Sequence, residues 1–451
     1  MGRLRFLISA VAVMIVISVA GLARAEERLV PAEPGALASA IAGASPGDIL
    51  MLAPGRHDGP VVLAFAITLD GGDGAALVQG NGQGSVITVT GTDVILRGLE
   101  IRGSGSEHTG IDSGIKLDRT ARHAIVENNL LVENLTGVHV FGARDSIVRG
   151  NTIIGRRDHR MNSRGNGIYV WNAPGTLVEG NSVRYGRDGI FANASRDNIY
   201  RDNILRDLRF AVHFMYTNNS EITGNASIGN HLGFAIMFSD RVRVIGNMSL
   251  SDRDYGVMLN YANNADVSGN LVRGGTTEKC TFVYNAHRNL IVNNRFEGCE
   301  IGIHFTAGSE RNVIMGNAFI GNQTQVKYVG TRDVEWSHDG RGNFWSDHPA
   351  FDLNGDGIAD SRFRPNDLMD HILWSQPAAA LLLGSPAVQL IRWSQANFPA
   401  TLPGGVVDSF PLMQPLVIVV PDDVALIEAT TRPAWLDGSD DDDESDSLAG
   451  H

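Results

Sequence analysis

Apolar residues along most of this chain come in short alternating runs of three to five residues, each closed by a polar pair that is usually Gly-Asn. Ile147-Val148 runs into Gly150-Asn151, and Gly137-Val138-His139-Val140-Phe141 belongs to the same unit. Period-two alternation over such lengths predicts short strands, and no central stretch has the length of an amphipathic helix. The closing residue recurs at Asn129, Asn151, Asn181, Asn203, Asn225, Asn247, Asn270, Asn294 and Asn317. The steps are 22, 30, 22, 22, 22, 23, 24 and 23 residues, so one unit repeats with a single insertion near Gly155 to Arg164. A fixed period of this size marks a solenoid whose coils stack on their neighbours. Helical repeats lack support, and the Leu spacing of leucine-rich repeats is missing.

The expected fold is therefore all-β, a right-handed parallel β-helix of the pectate-lyase-like kind, with a short N-terminal capping helix and a helical C-terminal extension. Each recurring Asn is expected to be structural: its amide can bond the same amide one coil on, at a spacing of about 4.8 Å, and Asn also tolerates left-handed backbone angles. Solenoid ends must be covered. Pro34 to Ala44 reads as a helix that lids the first coil, and the Trp345 to Pro365 loop closes the last. The organisation predicted is a secretory signal at 1–25, cap and first coil at 26–60, the β-helix at 61–345, a calcium-like loop and end cap at 346–372, an apolar helical docking region at 373–420 and an acidic disordered tail at 421–451.

The signal rests on Arg3 and Arg5, an apolar run from Phe6 to Leu22, and Ala23-Arg24-Ala25. A retained membrane anchor is the alternative, because the run is near spanning length. The formal charge of −13 owes seven charges to Asp437, Asp440, Asp441, Asp442, Asp443, Glu444 and Asp446. The remainder is only mildly acidic, and no basic stripe speaks for nucleic acid. Cys280 and Cys299 are the two cysteines. An exported protein could bridge them, although the repeat register sets them about three columns apart on neighbouring coils, which would strain a bridge unless the corner bends.

Aligning the strands that open successive coils turns Val138, Ile168, Val212, Ile236, Val257 and Ile303 inward. The next column, His139, Tyr169, Phe191, His213, Met237, Met258, Phe282 and His304, then faces solvent, with Phe141, Trp171, Met215 and Tyr284 beside it. His, Met and aromatic residues in unbroken sequence on an outer face mark a contact surface. Imidazole and thioether suit a soft, low-charge ion such as Cu(I), which makes His213, Met215, Met237, Met258 and His304 copper candidates. His139, Tyr169, Trp171, Phe191, Phe282 and Tyr284 are the partner-contact candidates, and His159 with Met161 in the insertion is a second, weaker metal candidate. Asp352, Asn354, Asp356 and Asp360 alternate as in a calcium loop, but position twelve would be Phe363. Asp188, Asp207, Asp240 and Asp254 lie in different columns and read as turn caps, so no pair of carboxylates for glycoside or lyase chemistry faces one cleft.

Longer strings carry a resemblance. Arg164-Gly-Asn-Gly-Ile-Tyr-Val-Trp-Asn-Ala-Pro174, Tyr185-Gly-Arg-Asp-Gly-Ile-Phe191, Phe210-Ala-Val-His-Phe-Met-Tyr-Thr-Asn218, Met237-Phe-Ser-Asp240 and Gly302-Ile-His-Phe-Thr-Ala-Gly-Ser-Glu-Arg311 resemble the NosD family of periplasmic β-helix proteins. The likeness continues through Gln325 to Thr331, Asn343 to Asp347, the Asp352 loop and Gly404 to Ser409, so only the acidic tail falls outside it. It implies a non-enzymatic periplasmic factor in nitrous oxide reductase maturation, associated with the permease and ATPase subunits of an inner-membrane ABC transporter. Copper, received from a copper chaperone, would be passed towards the reductase's copper-sulfur centre, with sulfur as a further possibility. A secreted lyase or epimerase on uronate-rich polysaccharide is the competing reading, and a ligand-free scaffold the third.

Overall fold

The computed structural model describes residues 25–157, 160–306, 308–330, 332–366, 372, 376, 378, 385–397 and 404–433. The signal segment, His159, Trp374, Leu381 to Leu383 and the acidic residues from Asp437 onward lie outside the described residues. The chain winds as a right-handed parallel β-solenoid. Three parallel sheets run along its length: sheet A with 13 strands from Glu27–Val30 to Val313–Met315, sheet B with 13 from Gly55–Asp58 to Phe344–Trp345, and sheet C with 12 from Val61–Leu63 to Thr324–Val329. Each coil visits C, A and B in turn and pairs only with the coils above and below.

The Asn repeat is the spine of the A–B corner. Asn203 donates its Nδ2 to Asn225 Oδ1 at 2.8 Å and its backbone amide to the same oxygen at 3.0 Å, and Asn225 repeats both bonds to Asn247. The ladder runs unbroken from Asn129 to Asn343. Each amide also donates to a carbonyl of the preceding coil, as Asn225 does to Tyr200, so these buried polar groups are satisfied. One expectation changes: the left-handed conformation belongs to the residue before the ladder position, among them Gly150, Gly180, Gly224, Gly246 and Gly269, and not to the ladder Asn. The turn needs positive φ where no side chain is required, and the Asn one place on keeps a strand-like backbone that aims its amide into the stack. At the last coil Asp408 ends the series, because a carboxylate can only accept: it takes bonds from Asn343 N at 2.7 Å and Trp345 Nε1 at 2.8 Å.

The predicted lid is a helix at Ala36–Ala42 that buries Leu37 against the first coils. At the far end Trp345 stacks on Phe319 at 4.5 Å, with Trp336 and Phe363 around it. The predicted C-terminal helix is present at Pro386–Asn397, with Leu390 and Trp393 exposed. Composition placed 421–451 in one acidic tail, but Asp422–Thr430 is a helix. Val424 and Ile427, with Ile418 and Val420, pack on Ile228, Leu250 and Leu271 of sheet B, and Glu428 pairs with Arg273. Asp422 and Asp423 at its start are exposed while Glu428 turns to Arg273, a division that composition averaged over the segment conceals.

Cys280 and Cys299 form a disulfide with their Cα atoms 5.7 Å apart. The expected strain was misjudged because sheet C strands carry an extra residue near their start. Lys279 pairs with Tyr255 and Thr281 with Val257, leaving Cys280 unpaired between them and turned into the core beside Cys299.

Candidate functional site

The outer surface of sheet C carries three columns of side chains. The first runs Asp188, Phe210, Leu232, Tyr255, Lys279; the extra residue after each of these directs it outward instead of into the core. The second is Lys116, His139, Tyr169, Phe191, His213, Ala235, Met258, Phe282, His304, Lys327. The third is Phe141, Trp171, Asn193, Met215, Met237, Asn260, Tyr284. Seven of the eight predicted column residues thus keep their register, and Met237 does not. It stands beside Met215, two residues along from its expected place, and Ala235 occupies the column position between His213 and Met258. Both Met237 and Ala235 alternate correctly, so period-two reasoning could not detect a shift of two.

The second correction concerns exposure. His213 is 7% exposed, Met237 6%, Met258 1% and His139 2%, so these outward side chains are covered. Phe210, Leu232, Ala235, Met237 and Met258 form an apolar cluster of their own, separate from the solenoid core, with Phe238, Tyr255 and Phe282 against it. Ala235 stands in the second column between His213 and Met258, so only a methyl separates the longer side chains of the coils on either side. Upstream the column is an aromatic stack, His139 on Tyr169 at 5.0 Å and Tyr169 on Phe191 at 5.0 Å, ending with Phe191 against His213 at 4.7 Å. Phe141 and Trp171 stack beside it at 4.8 Å.

His213 is the best-organised polar group on this face. Its Nδ1 lies 3.1 Å from Asp188 Oδ2, and Arg209 holds both oxygens of the same carboxylate at 2.9 Å. Burial alone would raise the Asp188 carboxyl, but Arg209, His213 and Arg187 outweigh it and hold it well below the ordinary carboxylate range. For His213, burial dominates over the pull of Asp188, so the ring is held neutral. With Nδ1–H donating to the carboxylate, the lone pair sits on Nε2, which is buried and has no hydrogen-bond partner. A carboxylate fixing the tautomer of an imidazole whose other nitrogen is free is how metal-binding histidines are commonly oriented. Sequence reasoning assigned Asp188 to a turn; it is a strand residue, and the pairing of Asp188 with the Phe210 position one coil on was the signal available.

His304 is not brought to this place. Four coils separate it from His213 in the column, and its neighbours are Lys279 and Lys327, which add to burial in pushing its pKa down to about 3. Among the described residues no three His, Cys, Asp or Glu side chains converge as a metal-holding group. A metal at His213 would therefore have to use thioethers, and Met258, Met237 and Met215 are the ones the register offers. Met161 is buried in the insertion. In the Asp352 loop, Asp352 accepts from the Gly355 and Gly357 amides at 2.6 and 2.8 Å, Asp356 from Ile358 and Asp360 from Leu353, so Asp352, Asn354, Asp356 and Asp360 close the turn on themselves. Phe363 is an end-cap residue packed on Trp345 and His348.

Fold and face together define a parallel β-solenoid with imidazole, thioether and aromatic side chains in columns along one sheet. Residues 149–350 match the family described as "Periplasmic copper-binding protein (NosD)". The chain is 40% identical over 352 residues to "Probable ABC transporter binding protein NosD" of Stutzerimonas stutzeri, covering 75% of this chain and 81% of the relative. It is 39% identical over 375 residues to the protein of the same name from Pseudomonas aeruginosa, covering 80% and 87%. This chain belongs to the NosD family, and both relatives carry the name of a binding protein, with no enzyme activity in it. Among solved structures it resembles the Dettilon tailspike protein (TM-score 0.46, 15% identity, 66% of this chain and 64% of that one). It also resembles an alginate lyase from Paenibacillus (TM-score 0.42, 18% identity, 67% and 98%). Likenesses this distant say nothing about function.

Proposed function

We propose that this chain is a non-enzymatic periplasmic accessory protein of nitrous oxide reductase maturation that takes up copper as transient cargo, as Cu(I), on the outer face of sheet C. It would receive the ion from a copper chaperone and release it towards the copper-sulfur centre of the reductase while associated with an ABC transporter at the inner membrane. The family description supports copper and the periplasm, and the relatives' names support the transporter. The single observation that carries the site is the buried, unpartnered Nε2 of His213, oriented by Asp188, with Met258 on the far side of Ala235 and Met237 in the adjoining column.

In this reading His213 supplies one nitrogen and Met258 and Met237 supply thioether sulfur, a set that favours Cu(I) over hard cations. Met215, next to Met237 and less covered, is where the ion would pass to or from solvent. A neutral His213 does not compete for a proton. The aromatic residues His139, Tyr169, Trp171, Phe191, Phe282 and Tyr284 form the flanks against which a partner would rest, and the exposed Leu390 and Trp393 helix is the docking element for the transporter. The test is cuprous titration of the mature protein against a chromophoric chelator. Met258→Leu and Met237→Leu preserve side-chain volume and should cost little stability, yet each should weaken Cu(I) binding at least tenfold. Binding no tighter than millimolar, or unchanged in both variants and in His213→Ala, would overturn the copper assignment.

A further inference from the structure

A groove of ≈ 630 Å³ runs along the corner where sheet C turns into sheet A, and its walls include Arg119, Arg144, Arg196, Tyr216, Asn172 and Asn218. All three guanidiniums are on exposed residues. Among the described residues, Asp197 at 3.6 Å from Arg196 is the one carboxylate within ion-pair range of them. Arg119 is spread over the rings of Phe141 and Trp171 at 4.7 and 5.4 Å, which fixes it in the groove wall. Three cations along one edge, two of them without an anion, attract an extended anionic chain.

This molecule carries such a chain at its own end. The described residues stop at Pro433, which seats on Gly229 so closely that a Cβ there would meet its ring at 2.9 Å. Gly229 lies just before the sheet C strand Leu232–Met237, in the coil after that of Tyr216. The strand is about 20 Å wide at about 3.3 Å per residue, and residues 434–439 can span about 20 Å when extended. A stretch of that length is enough to reach the corner at Tyr216. From Tyr216 to Arg119 is four coil spacings, about 19 Å, and Asp440 to Asp446 extended cover about 23 Å. Sign, starting point and length all agree.

We propose that the acidic C-terminal segment, Asp437 to Asp446, crosses the outer face of sheet C and docks in the Arg119–Arg144–Arg196 groove. This docking does not rest on the copper reading. Docking itself is read without metal. A benzophenone amino acid placed at Asp441 in the full mature chain is photolysed at low salt, and the crosslinked peptides are mapped by mass spectrometry. The expected product is intramolecular and joins the tail to peptides containing Arg119 to Arg144 or Arg196 to Asn218. Its yield falls at least tenfold in about 0.5 M salt and in the triple variant Arg119→Ser, Arg144→Ser, Arg196→Ser, whose exposed positions leave the fold intact. Crosslinks elsewhere, crosslinks only between two copies, or a yield unchanged in the triple variant each overturn the proposal.

Discussion

Replacing Asp188 with Asn separates structure from ligand orientation on the candidate face. Asp188 is fully buried and accepts from Arg209 twice and from His213 once. Asn has one acceptor oxygen and places an N–H₂ where the second carboxylate oxygen stood, so at least one donor of Arg209 or His213 loses its partner and the Arg209 charge loses its counter-ion. Breaking a buried pair on one side costs about 3–5 kcal/mol; Arg209 keeps 24% of its side chain in solvent, which puts the expected loss near the lower end, about 3 kcal/mol. Loss of the carboxylate also frees the imidazole to rotate and change tautomer, and such outer-shell changes cost about 10–100-fold in metal affinity. Guanidinium unfolding measures the first quantity and cuprous competition the second. Asp188→Asn with reduced stability but undiminished Cu(I) affinity would refute the claim that Asp188 orients His213 as a ligand, leaving the carboxylate a structural role alone.

Two further outcomes follow from the coil stack. Asn225→Ala strips partners from the Asn203 amide, Asn203 Nδ2 and the Tyr200 carbonyl, while Asn247 Oδ1 keeps the backbone amide of residue 225; at about 1–3 kcal/mol for each buried group that loses its partner, the loss should reach at least about 3 kcal/mol, and hydrogen exchange should quicken in the coils around it first. A loss under about 1 kcal/mol would mean the ladder aligns coils without holding them. Burial, helped by Lys116, pushes the His139 pKa down to about 3 from its ordinary 6.5. The unfolded chain then binds a proton first as pH falls, so stability is full above pH 6.5 and declines towards pH 3, by about 2 kcal/mol at pH 5 for this ring. His139→Phe should flatten that part of the unfolding profile; an unchanged slope would show that the ring is accessible to protons in the folded state.

The solenoid was legible because its determinants are local and repeated. A strand alternation, a Gly that accepts positive φ and an Asn that bonds its own image one coil on recur at nearly constant spacing, so one unit implies the next. The caps were legible for a related reason: an apolar coil end needs a helix or aromatic plug, and Ala36–Ala42 and Trp345 supply them. Family membership was carried by the long strings around Tyr169, His213 and His304. Alternation also told which residues leave the coil, since every second side chain must.

Tertiary structure alone decided what those outward residues meet. Whether a side chain that leaves a sheet ends in water or under its neighbours depends on the column beside it. That column exists only because an extra residue early in each strand turns Phe210, Leu232 and Tyr255 outward. The same local insertion brought Cys280 to Cys299 and set Asp188 against His213, contacts between residues 19 and 25 apart in the chain. A shift of two leaves the in-out pattern untouched, so Met237 and Ala235 could exchange columns without any trace in the alternation. Pattern specifies direction from the backbone, whereas position along the strand is settled by which backbone amides pair between coils.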